Sequence, residues 1–209
     1  DGCNYIVVIN NDTIVDRFFL NPLIELLEKN QMSIVAPVIY YADGKRIWSS
    51  GGVYRQLLCD YAMVNDAIEE LRKTEFVSGC CFATSDRLIN KVGLLNEELF
   101  MYNEDVDFCH RAKLSGADIA VTPSSIIYHK VSKTTGANSP FQLYYTYRNR
   151  LIFAKQFYTG LNRCYAIQIN KLKIFYRKIK FQVKGEKACS EALRFASKDY
   201  KTHTGRTRY

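Results

Sequence analysis

The sequence predicts an α/β fold, a mixed sheet flanked by helices and followed by a basic amphipathic helix. Three observations predict it. Apolar runs are strand-sized, as in Tyr5–Ile9 and Ile119–Val121. Capped segments with apolar residues three and four apart lie between those runs. The last quarter places its apolar residues on one helical stripe. With 209 residues, 47% of them apolar and 24% charged, the chain can bury a substantial core. No apolar run approaches the roughly 20 residues that span a bilayer, so any membrane association is expected to be peripheral.

Tyr5–Ile9 reads as a buried strand ending in the polar cluster Asn10-Asn11-Asp12-Thr13. Asp16 is expected to cap a helix bearing Phe19, Leu20, Leu23, Ile24 and Leu27, with Pro22 near its start. Ile34–Pro37 is the next strand, and Ala42-Asp43-Gly44-Lys45 turns a hairpin between Val38–Tyr41 and Arg46–Trp48. Residues 53–75 are polar and weakly patterned, which predicts a loop or short helix. Phe76–Thr84 is strand-like. Ser85 caps a short helix through Val92, and Asn103 caps one ending near Ser115, with Gly116 beyond it. Asp118–Thr122 and Ile126–Tyr128 are two further strands, and Pro140 opens a helix rich in tyrosine and arginine. The final stripe is Leu161, Tyr165, Ile169, Leu172, Tyr176, Ile179 and Val183, and the tail beyond Lys198 is expected to fray. The division that follows is 1–158 for the α/β portion and 159–209 for a basic amphipathic helical extension.

The net charge of +8 is uneven: residues 1–100 hold 9 basic and 14 acidic side chains, whereas residues 130–209 hold 18 basic and 3 acidic. Such a field favours an anionic partner. The seven cysteines, Cys59 among them, form no CxxC pair, which predicts reduced, buried thiols in place of structural zinc.

Three polar sites can carry chemistry. Asn11 and Asp12 end the opening strand, where open α/β sheets place ligands, and an aspartate there can hold a hard divalent cation or simply cap a turn. Glu104, Asp105 and Asp107 crowd one helix start. Repulsion raises their proton affinity, so one can act as a general base, while Asp107 and Arg111 are spaced for a surface ion pair. His129 directly follows an apolar strand and can ligate a metal, contact a phosphate, or serve structure alone. His110 and His203 receive no role.

An ordered set of motifs joins these sites. They are Val8-Ile9-Asn10-Asn11-Asp12-Thr13, Ile47-Trp48-Ser49-Ser50-Gly51-Gly52, Phe76-Val77-Ser78-Gly79-Cys80, and the run from Val92 to Cys109 containing Asn103-Glu104-Asp105-Val106-Asp107. Tyr128-His129, Tyr144-Tyr145 and Arg148-Asn149-Arg150 follow. In this order, over residues 4 to about 155, they resemble the family 2 glycosyltransferases of bacterial cell-surface polysaccharide synthesis, especially rhamnosyltransferase-like members.

The resemblance implies a GT-A fold, a Rossmann-like mixed sheet, here truncated because the family's N-terminal nucleotide-gripping segment is not visible. It implies Mg2+ or Mn2+ held by Asp12, with Asn11 beside it and His129 near metal and diphosphate. Asp105 would be the catalytic base and Glu104 would position the acceptor. Gly79 and Cys80 would line the donor cleft, and Tyr145, Arg148 and Arg150 would meet an anionic acceptor or the diphosphate. The implied reaction is inverting transfer from a nucleotide sugar, with dTDP-rhamnose the leading guess, to a glycan or lipid-linked glycan. The implied place is the cytoplasm, at the inner face of the plasma membrane.

Further partners expected are an anionic membrane surface and a chain supplying the missing half. Without that half, weak nucleotide-sugar binding and an uncovered sheet edge are expected. The alternative reading is a non-catalytic fragment or partner subunit that binds glycan or protein. Nucleic acid is not an expected partner, because no module for it appears.

Overall fold

Why the chain folds as a mixed sheet is visible in its central strand, whose first seven residues are all buried. The computed structural model describes residues 2–55, 58, 60–131 and 138–202. Cys59, His203 and the end of the tail lie outside the described residues. Two compact units form: Asp1–Tyr54, Tyr61–Leu95 and Asp105–Ser132 in the first, and Arg55–Asp60, Asn96–Glu104 and Lys133–Tyr209 in the second.

The first unit is built on β1 (Tyr5–Ile9), β2 (Thr13–Val15), α1 (Leu20–Lys29), β3 (Ser33–Tyr41), β4 (Ile47–Ser49), β5 (Gly52–Arg55), β6 (Asp60–Met63), β7 (Arg72–Lys73), β8 (Cys81–Ser85), α2 (Asp86–Val92), α3 (Glu104–Leu114) and β9 (Asp118–His129). The sheet order is β1-β8-β3-β9-β2, with β4 on β3 and β7 on β9. β8 runs antiparallel to both β1 and β3, and β3 is parallel to β9. Hence β1, β3 and β9 share one direction, and their carboxyl ends (Ile9, Tyr41 and His129) share one edge.

Apolar burial holds these layers together. Leu23 and Leu27 of α1 are fully buried against Val35 and Ala83. Each such side chain contributes about 1.5–3 kcal/mol, and Leu23→Ala would cost about 2–5 kcal/mol.

Several boundaries differ from the sequence reading. Asp16 does not cap α1. It accepts the Phe18 N–H at 3.0 Å, and Phe19 stands at the N-cap with no side-chain bond. Residues 53–75 form β5, β6 and β7, short strands whose ladder bonds override weak patterning. Ile34–Pro37 and Val38–Tyr41 are one strand with a register shift between Pro37 and Val38, and β9 is likewise continuous. Ser85 does cap α2, accepting from Leu88 at 3.0 Å. Asn103, by contrast, has a left-handed φ of 75° and donates to the Thr146 carbonyl at 3.4 Å. The Asp107–Arg111 pair forms at 2.8 Å but is not at the surface, since the Asp107 side chain is fully buried.

The second unit packs α4 (Pro140–Phe157), α5 (Gly160–Val183) and α6 (Lys187–Asp199). Ser139 caps α4 by accepting from Gln142, with Pro140 opening the helix. Tyr144, Tyr145, Tyr147, Leu151, Ile174, Phe181 and Leu193 form the core. The Tyr144 hydroxyl donates to Asp199 at 3.0 Å. The sequence boundary at 158/159 falls between α4 and α5, yet both belong to this unit. The single helix expected after residue 159 is two helices. α5 buries Ala166, Asn170, Ile174 and Phe181, and exposes Leu161, Tyr165, Leu172, Tyr176, Ile179 and Val183.

Candidate active site

At the shared carboxyl edge of the first unit, β1 ends and the Asn10 N–H donates to the Cys80 carbonyl at 2.9 Å. The Thr13 hydroxyl donates back to the Asn10 carbonyl at 2.7 Å, which turns the chain. Asn11 is exposed in that turn. β2 then pairs with the end of β9, placing Thr13 opposite His129. The Lys130 N–H donates to the Asp12 carbonyl at 3.0 Å and pins the corner.

This register brings Asp12 Oδ2 within 3.2 Å of His129 Nε2. His129 is only 8% exposed, and its buried Nδ1 has no hydrogen-bond partner among the described residues. The Trp48 ring of β4 meets the imidazole edge-on, with centroids 4.5 Å apart. Trp48 thus fixes the ring plane, although its motif assigned it no role. Among the described residues no group of three or more His, Cys, Asp or Glu side chains is placed to hold a metal ion.

The Ser78-Gly79-Cys80 turn leads into β8 and contacts a second carboxylate. The Gly79 N–H donates to Asp105 Oδ2 at 2.9 Å, and the Val106 N–H donates to Oδ1 at 2.8 Å. Asp105 keeps some contact with solvent, but dense neighbours desolvate it. That desolvation pushes its carboxyl above the ordinary range, against the opposing pull of the backbone N–H groups of Gly79, Val106 and Asp105 itself. Cys80 is buried and pushed up to about 12, first by burial, then by Cys81 and the Asp12 charge. Its thiol is therefore a neutral wall, with no nucleophilic character at neutral pH.

Glu104, the first residue of α3, belongs to the second unit. The segment before it is strained, with left-handed φ at Phe100 (62°), Tyr102 (64°) and Asn103 (75°). The Asn149 amide holds it, donating to the carbonyls of Leu99 (2.8 Å), Met101 (2.9 Å) and Tyr102 (2.7 Å). Arg148, fully buried, donates to the carbonyls of Glu98 (3.1 Å) and Leu99 (3.0 Å) and lies over the Tyr145 ring. Tyr145 is also fully buried. Arg150 pairs with Asp60 at 3.0 Å. As placed, Arg148 and Tyr145 shape this segment from within and present no surface to an acceptor. Asn149 was missed as a site residue. The available signal was an amide between two arginines on a helix whose neighbours are apolar.

Over 159 residues the chain is 24% identical to the low-salt glycan biosynthesis hexosyltransferase Agl10 of Haloferax volcanii, which covers 74% of this chain. The chain spans about half of that relative's length, 52%. The crystal structure of GalNAc-T7 with UDP, GalNAc and Mn2+ matches 60% of this chain and 27% of its own, with TM-score 0.50 and 14% identity. That likeness shows the fold, a GT-A-like mixed sheet flanked by helices. The family model described as Glycosyl transferase family group 2 matches residues 5–179. With that match over most of its length, the chain belongs to glycosyl transferase family group 2.

Proposed function

We propose that the chain carries the catalytic centre of an inverting sugar transferase, moving a sugar from a nucleotide sugar to a hydroxyl of a glycan or lipid-linked glycan. The observation that carries this reading is the pair of carboxylate sites reached through one strand turn: Asp12 beside His129, and Asp105 on Gly79 N–H. Acceptor oxygen bonds to the anomeric carbon as the bond from that carbon to the diphosphate oxygen breaks. The nucleoside diphosphate leaves, and Asp105 takes the acceptor proton. Its raised proton affinity suits that task better than that of a solvated aspartate.

Asp12 and His129 would hold Mg2+ or Mn2+. The donor set fits, because such ions are often held by one or two protein groups and completed by substrate phosphate oxygens, and Nε2 of His129 faces Oδ2 of Asp12 at 3.2 Å. When bound, the ion neutralises charge on the departing diphosphate. The Mn2+ and UDP of the GalNAc-T7 structure support this assignment. Asn11, exposed at the same turn, would meet the donor, and Gly79 and Cys80 would border the sugar. Glu104 would orient the acceptor, with Arg148 and Asn149 as positioning residues that fix the segment before it. Arg150 would reach an anionic acceptor only in competition with Asp60.

Calorimetric titration with nucleoside diphosphates and with dTDP-rhamnose, with and without Mg2+ or Mn2+, tests the reading. Metal-dependent binding lost in Asp12→Ala supports it. Binding indifferent to metal and to Asp12 overturns it.

A further inference from the structure

α5 has two opposite apolar faces. One, formed by Ala166, Ile174 and Phe181 with the buried Asn170 among them, packs in the second unit. At 3.6 residues per turn, Leu161, Tyr165, Leu172, Phe175, Tyr176, Ile179 and Val183 fall on the other side. That side is open: Leu161 is 88% exposed, Tyr176 68% and Val183 84%. An exposed apolar stripe of this length, interrupted only by Gln168, marks a contact.

The charges around it identify the partner. The 24 residues of α5 contain Arg163, Lys171, Lys173, Arg177, Lys178 and Lys180 and no Asp or Glu. Lys171 and Lys178 border one side of the stripe, and Lys180 borders the other, with Lys184 just past the helix end. We propose that α5 lies flat on an anionic lipid bilayer, its stripe sunk between headgroups and its border lysines on lipid phosphates.

Three arguments favour a bilayer. Tyr165, Phe175 and Tyr176 are ring side chains of the kind that settle at a membrane interface. Lysines on both borders can lie along the apolar surface and lift their ammonium groups to the phosphates. A second copy seated on the same face would set the lysine borders of two helices together and repel itself. No described helix is long and apolar enough to cross a membrane, so the helix would rest on the surface. This inference is independent of the sugar-transfer reading, since vesicle binding needs neither nucleotide nor metal.

The test is flotation of the 209-residue chain with vesicles of phosphatidylcholine alone or mixed with phosphatidylglycerol. Binding is expected only to the mixed vesicles and falls with added salt. Lys178→Gln with Lys180→Gln is expected to lower partitioning roughly thirty-fold. Leu172→Gln with Tyr176→Gln is expected to lower it more than tenfold, with circular dichroism unchanged because these side chains are exposed. Failure of the unaltered chain to float, or binding indifferent to both double variants, overturns the proposal. So does self-association or oligonucleotide binding that those variants abolish while vesicles have no effect.

Discussion

Asp12 and His129 are far apart in the chain, yet Oδ2 of one lies 3.2 Å from Nε2 of the other. The pairing of β2 with β9 creates this approach. If the pair holds the ion that binds a diphosphate, Asp12→Ala and His129→Ala should each weaken metal-dependent nucleoside diphosphate binding by about 10–100-fold, with little change in melting temperature. Calorimetry with and without Mn2+ measures this. Equal binding by both variants would make the pair structural.

Asp105 gives a pH signature. As a base it must be ionised, and its carboxyl sits above the ordinary carboxylate range because of desolvation. The rate should therefore climb with pH through a limb lying above about 3.9. Asp105→Asn should remove the limb and lower kcat by about 10²–10⁴-fold. The stability effect has the opposite sign. A folded pKa raised above the unfolded one favours the fold fully below about 3.9, and that gain is lost as pH rises through the folded value. Asp105→Asn should flatten this slope in urea titrations, so a variant less stable than the parent only at neutral pH would contradict the assignment.

Asn149 supports the strained segment before α3 through three carbonyls. Asn149→Leu keeps the volume and removes the donors, leaving those carbonyls unsatisfied. A loss of about 2–4 kcal/mol is expected, read as a lower urea midpoint. If the segment positions Glu104 for an acceptor, KM for the acceptor should also rise in the variant while nucleoside diphosphate affinity stays constant. A stability loss with unchanged kinetics would restrict Asn149 to structure.

The sequence was most legible where local chemistry decides the outcome. Ser85 capping α2, Pro140 opening α4 and the hairpin between β3 and β4 all follow from residues adjacent in the chain. Long-range pairing was hidden. Nothing local announces that Gly79 would bond Asp105, or that β7 would pair with Val121 and Ala120 of β9. The glycine pair was visible as a motif without its reason. Gly51 has a φ of 114°, and a Cβ on Gly52 would run into the Phe76 ring. In α5 the stripe was readable from spacing, but spacing alone could not say which of two apolar faces the core would take.

The thiols give a final expectation, about reactivity. Burial pushes Cys80, Cys81 and Cys109 up to about 12, whereas Cys3 and Cys164 are exposed. Only the thiolate attacks an alkylating reagent. At pH 8 the three buried thiols should therefore react roughly a thousandfold more slowly than a free cysteine, whose thiol sits near 8.5. Their raised values also carry a stability sign: the gain is present below about 8.5 and is lost as pH rises from there through about 12. Peptide mass mapping during iodoacetamide treatment, in buffer and in urea, reads the rate at each cysteine. Labelling of Cys3 and Cys164 before the other three in buffer, with the difference erased in urea, is the expected result. Early labelling of Cys80 in buffer would mean that the Ser78-Gly79-Cys80 turn opens in solution, which would also weaken the case that Gly79 holds Asp105.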